Sequence, residues 1–320
     1  MGGLTRRLWN RLLPTDGSVP TLDRPGVPDT PLLRRCRDIR ANPKTVDLPD
    51  GRTLGYAEQG DPDGRTVVLV HGHPNSRVFG ALFDELGRDL GVHIVAPDRP
   101  GLGVSDPLPG RTFADWADDV AALLSALDCD SAPILGVSAG GPFALACGAH
   151  APERVERLGL LCPVGPNSVL GLSDRLPFVL GVTLPATWRL DVYRRYRAAA
   201  TDPASFLAAS ATERAEPDAT LWESDFGHAL LVGTLEGCRQ GLDGYARDAK
   251  LLCSAWDFDP GEVSVPTMLR HGEPDEMVPV EMGRALAVAI PDVDAEFVEG
   301  LGHLGVIADH RREVVEWLIS

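Results

Sequence analysis

The chain has 320 residues, with 30 Lys and Arg against 46 Asp and Glu, a formal net charge of −16 and 44% hydrophobic residues. That acidity argues against a nucleic-acid partner, which needs Lys and Arg gathered on one face, and it disfavours anionic substrates at long range. The length suits one large domain with an insertion, or two small domains, and the apolar content supports a sizeable core.

Lys44 and Lys250 are the only lysines. An acidic, Lys-poor chain fits either a GC-rich genome or a high-salt cytoplasm. The six cysteines (Cys36, Cys129, Cys147, Cys162, Cys238, Cys253) form no CxxC pair and take no zinc-like spacing with His, so reduced thiols and no metal are expected. Cys147 and Cys162 lie in apolar stretches and read as buried. No apolar run reaches the roughly 18 residues of a membrane span.

Residues 1–44 are rich in Pro, Arg and Asp and read as an irregular arm. Arg6, Arg7 and Arg11 among Leu4, Leu8, Trp9, Leu12 and Leu13 are too polar and too short for a secretory signal. They suit a short amphipathic helix on a membrane surface, or a segment packed on the protein or free of it. Arg6 breaks the myristoylation pattern. A cytoplasmic location is the expectation.

From Lys44 the pattern changes. Pro49-Asp50-Gly51 between Thr45–Leu48 and Thr53–Glu58 predicts a hairpin. Thr66–Val70 is a continuous apolar run, the mark of a strand buried on both faces. A helix around Phe79–Leu90, a strand at His93–Ala96 and a helix over Phe113–Leu127 follow, the last with Thr112 and Asp115 near its start. Ala132–Val137 is the next strand, Pro142–His150 the next helix and Val155–Cys162 a further strand.

This alternation implies right-handed βαβ crossovers and a mostly parallel sheet covered on both faces. It stops between about Pro166 and Ser254, where helical patterns and Pro breaks occur without a strand. It resumes with a strand at Val265–Arg270, a helix at Val280–Ala289, a strand at Ala295–Val298 and a final helix ending at Ser320. The expected organisation is an arm (1–44), an α/β core (45–165 and 255–320) and a helical cap (166–254), an insertion of roughly ninety residues over the strand ends where open α/β sheets bind ligands.

Gly136-Val137-Ser138-Ala139-Gly140 sits at a strand–helix junction, where a sharp turn lifts the serine above the sheet and the crowding demands Gly on both sides. The pentapeptide alone is weak: chance gives a GxSxG pattern in about one sequence of this composition in six. Its position between strand and helix makes Ser138 the candidate nucleophile. A Ser hydroxyl needs a base, and the base an orienting carboxylate. Asp275, just beyond the strand Val265–Arg270, is the candidate acid, with Glu273 and Glu276 as alternatives in the same loop. His303, Gly-flanked on a loop after Ala295–Val298, is the candidate base and is expected to be exposed and mobile. Among its competitors, His228 falls in the cap, His310 in the last helix, His271 at a strand end, and His73 in the loop after Thr66–Val70.

An oxyanion formed on attack needs two preorganised N–H donors. The backbone of Ala139 is one candidate, and that of His73, in His71-Gly72-His73-Pro74-Asn75-Ser76, is the other. The His73 side chain either lines the pocket or is structural, and His71 reads as a hydrogen-bonder shaping the loop. In the cap, Leu176, Phe178, Val179, Leu180, Trp188 and Phe206 form either an apolar lining, with Phe178 and Trp188 as substrate contacts, or the cap's own core.

The segments His71–Pro74, Pro97–Asp106, Gly136–Gly141 and Gly272–Pro279 stand where members of the α/β-hydrolase superfamily carry HGxP, PDRPGxGxSD, GxSxGG and GxxDxxVP. The chain resembles that superfamily over about residues 45–165 and 255–320, in the right order. The resemblance implies an eight-stranded, mostly parallel sheet and a cofactor-independent hydrolase acting on a small-molecule ester or related acyl compound. It is less specific for the reaction, since esterases, lipases, thioesterases, lactonases, C–C hydrolases and perhydrolases share it. Ser138 argues against dehalogenases and epoxide hydrolases, whose relatives use Asp at this turn. A ligand-binding or receptor protein with slow turnover on the same scaffold is the rival from another class. Oligomeric state cannot be read from the sequence.

Overall fold

The computed structural model describes residues 27–169 and 194–320, apart from 213, 215 and 217. Eight strands form one sheet in the order β1-β2-β4-β3-β5-β6-β7-β8. They are β1 (Lys44–Asp47), β2 (Thr53–Gly60), β3 (Arg65–Val70), β4 (Val92–Pro97), β5 (Ala132–Val137), β6 (Val155–Leu161), β7 (Thr267–Gly272) and β8 (Val293–Val298). The hairpin is present: β1 pairs antiparallel with β2, and β2 antiparallel with β4, while every other pairing is parallel.

The apolar run of β3 explains its central place. Val67 and Leu69 join one core cluster and Val68 and Val70 the other, so the strand feeds both layers. The first layer holds α1 (Pro31–Ala41) and α10 (His303–Ile319), with a 3₁₀ turn at Arg77–Phe83 that runs on into α2 (Asp84–Leu90). The second holds α3 (Phe113–Ala126), α4 (Gly140–His150) and α9 (Val280–Ala289). Thr112 and Asp115 form a capping box at the start of α3.

Two expectations change. Part of the irregular arm is α1, which buries Leu33, Cys36 and Ile39 at helical spacing and starts at an N-cap Thr30 followed by Pro31. The single helix expected around Phe79–Leu90 is the 3₁₀ turn followed by α2. Residues 1–26, where the Arg-rich leucine pattern falls, lie outside the described residues.

Between β6 and β7 the described chain is helical, with a stretch at 194–201, then α5 (Pro203–Ala211), α6 (Asp218–Glu223), α7 (Asp225–Gly237) and α8 (Asp243–Cys253). Its apolar side chains form a separate cluster around Tyr196, Leu207, Leu231 and Leu235. Among the described residues no helix is long and apolar enough to cross a membrane. All six cysteines are free thiols.

Candidate active site

The parallel strands all end on one edge of the sheet, and the loops there carry the candidate residues. Ser138 follows β5 with φ 56°, a left-handed conformation that a non-glycine residue rarely adopts. Its neighbours have no room for side chains. A Cβ on Gly136 would lie 2.8 Å from that of Ala144, and one on Gly140 2.1 Å from the Val70 carbonyl oxygen. The turn is pinned on both sides: Ser138 N–H donates to the Leu161 carbonyl (2.8 Å), and its own carbonyl accepts from Gly141 (2.9 Å) and Val164 (3.0 Å). Ser138 remains partly exposed while the strand before it is buried. Ala139 is the N-cap of α4, so its N–H belongs to the unpaired donors of a helix start.

Asp275 and His303 meet directly, with His303 Nδ1 2.7 Å from Asp275 Oδ2. Asp275 Oδ1 accepts from the N–H groups of Met277 and Val278, both at 2.8 Å. His271, inside β7, lies beneath. Its Nε2 is 2.9 Å from the Val278 carbonyl and 3.4 Å from Asp275 Oδ2. A carbonyl can only accept, so Nε2 of His271 carries the proton. Burial alone pushes the Asp275 carboxyl up, but His303, the His271 contact and the Val278 N–H outweigh it and hold the group below the usual carboxylate range. Glu273 instead pairs with Arg284 at 2.6 Å and both are exposed, which removes it as a rival partner for His303.

His303 is not on an exposed loop. It is the first residue of α10, behind Gly302, and its side chain is 3% exposed. The reason lies in α6. Asp218 Oδ2 accepts from Leu304 N–H (3.1 Å) and Oδ1 from Gly305 N–H (2.9 Å), so a carboxylate from the inserted helices caps the helix that carries the histidine. Sequence reasoning missed Asp218, because the two ends of this contact are 86 residues apart.

The loop after β3 lies against the serine. A Cβ on Gly72 would stand 3.4 Å from Ser138 Cβ and 3.8 Å from its Oγ. His71 Nδ1 donates to the Gly72 carbonyl at 2.8 Å, in line with a structural role. The His73 ring is mostly buried, stacks on Tyr245 with centroids 4.5 Å apart, and places Nδ1 3.3 Å from Asp248 of α8. Burial, with Arg99 and Arg111 nearby, pushes both His71 and His73 well below the ordinary histidine range, so both rings are neutral. The Pro97–Asp106 segment forms a turn, with Asp98 accepting from Arg77 N–H and Val104 N–H, and it also supplies Arg99 to this loop.

Among the described residues, two groups of side chains have the spacing of metal ligands: Cys162, Asp275 and His303, and the half-exposed set Glu296, His310 and Glu313. In the first, Asp275 is already engaged by His303 and two backbone N–H groups, and burial followed by the Asp275 charge pushes the Cys162 thiol far up. A protonated thiol is a poor ligand. In the second, Glu313 pairs with Arg270 and His310.

The structure thus gathers Asp275 with His303, and the His71–Asn75 loop with Ser138. It separates His228 and His310 from that pair, while His271 stays 3.4 Å from Asp275. His228 bonds the Ser224 carbonyl within its own helical region, and His310 pairs with Glu313 along α10. Leu176, Phe178, Val179, Leu180 and Trp188 lie outside the described residues. Phe206 packs against the insertion's own cluster.

A family model described as the alpha/beta hydrolase fold matches residues 65–309, and the chain belongs to that family. A non-heme chloroperoxidase of Streptomyces lividans is 31% identical over 83% of this chain and 94% of its own. A 2-hydroxy-6-oxo-2,4-heptadienoate hydrolase of Pseudomonas putida is 26% identical over 78% of this chain and 86% of its own. Among solved structures, an alpha/beta hydrolase fold protein from Nakamurella multipartita superposes with a TM-score of 0.67 at 22% identity, covering 87% of this chain and 98% of that one.

Proposed function

We propose that the protein is a serine hydrolase of carboxylic esters or related acyl compounds. The observation that carries this reading is the 2.7 Å contact between Asp275 and His303 at the sheet edge that also presents Ser138 on its strained turn. Asp275 accepts from Nδ1–H of His303 and so leaves Nε2 free as a base. That nitrogen takes the proton of Ser138 as Oγ attacks the substrate carbonyl, and the oxyanion is met by the backbone N–H groups of Ala139 and His73. The protonated imidazole then gives its proton to the leaving alcohol. A water, deprotonated by the same nitrogen, hydrolyses the acyl-enzyme and restores the serine. The helices between β6 and β7 act as the cap that selects the acyl group.

The test is hydrolysis of p-nitrophenyl butyrate by the purified protein. Ser138→Ala is expected to abolish it together with labelling by a fluorophosphonate probe, and an unchanged rate overturns the assignment. A second reading comes from the chloroperoxidase relative: hydrogen peroxide in place of water attacks the same acyl-enzyme and leaves a peracid. Acetate- and peroxide-dependent halogenation, lost in Ser138→Ala, distinguishes it from plain ester hydrolysis.

A further inference from the structure

Asp248 of α8 is fully buried and stands among three basic side chains from the core. Its Oδ2 accepts from Arg99 Nε at 2.9 Å, lies 2.8 Å from Arg99 Nη2 and is 3.3 Å from His73 Nδ1, while Oδ1 accepts from Arg111 Nη2. Arg99 is itself fully buried, with its guanidinium 4.6 Å over the Phe143 ring. The rest of that guanidinium faces the loop after β3, where Nη1 donates to the His71 carbonyl and Nη2 to the Gly72 carbonyl at 2.9 Å.

We propose that Asp248 is a positioning residue for the oxyanion-binding loop, and that through Arg99 it couples the seating of α8 to stabilisation of the transition state. This rests on the reading that Ser138 attacks an acyl carbon and that His73 N–H is one of the oxyanion donors. A trans peptide is planar, with its C=O and N–H pointing in opposite directions. The Gly72 carbonyl, held by Arg99 and by His71, is the far end of the peptide that carries the His73 N–H. Fixing that oxygen fixes the direction of the donor. Gly72 packs directly on Ser138, so a small rotation of this peptide moves the donor relative to the nucleophile.

Arg99 cannot do this unaided. It shares its buried place with Arg111, whose Nε and Nη1 have no partner among the described residues, and two uncompensated cations there repel and are costly to desolvate. Asp248 is the carboxylate that both guanidinium groups contact, and it comes from the insertion, not the sheet. An α8 lifted from the core takes the counter-charge with it and releases the loop.

Asp248→Asn alone leaves both arginines uncompensated and risks misfolding. The informative variant is Asp248→Asn combined with Arg111→Met, which keeps the formal charge of the cluster, with Arg111→Met alone as the reference. The measurements are the rate of Ser138 labelling by a fluorophosphonate, kcat and KM for p-nitrophenyl butyrate, and Tm. The expected result is a labelling rate and kcat lower by about ten- to a hundred-fold than in the reference, with KM within about two-fold and Tm retained, since a misdirected donor loses part of what a deleted one loses. Labelling and kcat equal to the reference, or a loss confined to KM, overturns the proposal. Should the double variant not fold, Asp248→Glu keeps the charge, displaces the carboxylate by one methylene and is read by the same criteria. Failure of the underlying reading looks different: the unaltered protein itself would show no labelling that depends on Ser138.

Discussion

The carboxyl group of Asp218 occupies the space that a side chain on Gly302 would need: a Cβ there would lie 2.7 Å from the carboxyl carbon. The glycine before His303 is therefore matched to a residue from the inserted helices, and the pair decides how α10 begins. Asp218→Ala removes the acceptor for two buried N–H groups and should destabilise the protein by about 1–3 kcal/mol. Gly302→Ala should cost a similar ~1–3 kcal/mol by overpacking. The two are coupled, because the alanine at 302 clashes with the very group that the first change deletes. A double-mutant cycle by urea unfolding should give a combined loss smaller than the sum by at least about 0.5 kcal/mol. Strict additivity would sink the argument.

Asp275 accepts hydrogen bonds on both oxygens, and this makes its amide replacement informative. In Asp275→Asn the side-chain oxygen stays opposite the N–H groups of Met277 and Val278, which can only donate. The amide nitrogen must then face Nδ1 of His303. A donor there demands that Nδ1 accept, so the proton moves to Nε2 and the imidazole can no longer act as a base. The expected loss in kcat is about 10⁴-fold with little change in KM, as for other triads whose aspartate becomes asparagine. A kcat within ten-fold of the parent in a folded variant would remove Asp275 from the proposed mechanism.

Much of this was legible because Ser138 and the loop that lies against it each follow a strand with an unmistakable apolar run. TVVLV and APILGV are buried on both faces, and the residues after them land at the same sheet edge. What escaped is set by contacts distant in sequence. Gly302 looks like a loop residue until Asp218 is placed against it, and so His303 was expected to be exposed. Arg99 stands in the segment that matches PDRPGxGxSD, yet only the fold brings Asp248 and the Gly72 carbonyl within its reach. The helix α1 is another kind of omission. Its Thr30-Pro31 start and the spacing of Leu33, Cys36 and Ile39 were visible, but the surrounding Pro and Arg content outweighed them.

Cys162 follows β6 directly, beside the Asp275–His303 pair, with Sγ 3.6 Å from the His303 carbonyl oxygen. Its burial, and the negative charge of Asp275 next to it, keep the thiol protonated, and burial pushes Cys36 and Cys238 up to about 12. The thiolate is the reactive form. Iodoacetamide at pH 8 should therefore leave these three unmodified in the native protein and the proposed esterase activity intact, while all six cysteines react in denaturant. Mass spectrometry of the native digest checks this. Rapid alkylation of Cys162 with loss of activity contradicts it.

The two neutral histidines of the loop after β3 set how the protein responds to acid. His71 and His73 titrate well below their ordinary value in the folded state, chiefly because burial opposes the charge. In the unfolded chain they take up protons as the pH falls through about 6.5. The unfolded state then binds more protons than the folded one, so stability rises with pH and is lost as the pH drops below that value. Asp275 acts in a lower window, since its folded-state value is depressed and its contribution disappears only as the pH falls below about 4. Between pH 6 and 5 each buried histidine should contribute up to ~1.4 kcal/mol of lost stability per pH unit. In His71→Asn, the side-chain amide takes the place of Nδ1–H and can still donate to the Gly72 carbonyl without titrating. Urea unfolding at a series of pH values should show this variant losing less stability than the parent across that interval, with a slope smaller by close to one proton. Parallel curves would mean that His71 is not the buried neutral imidazole described here.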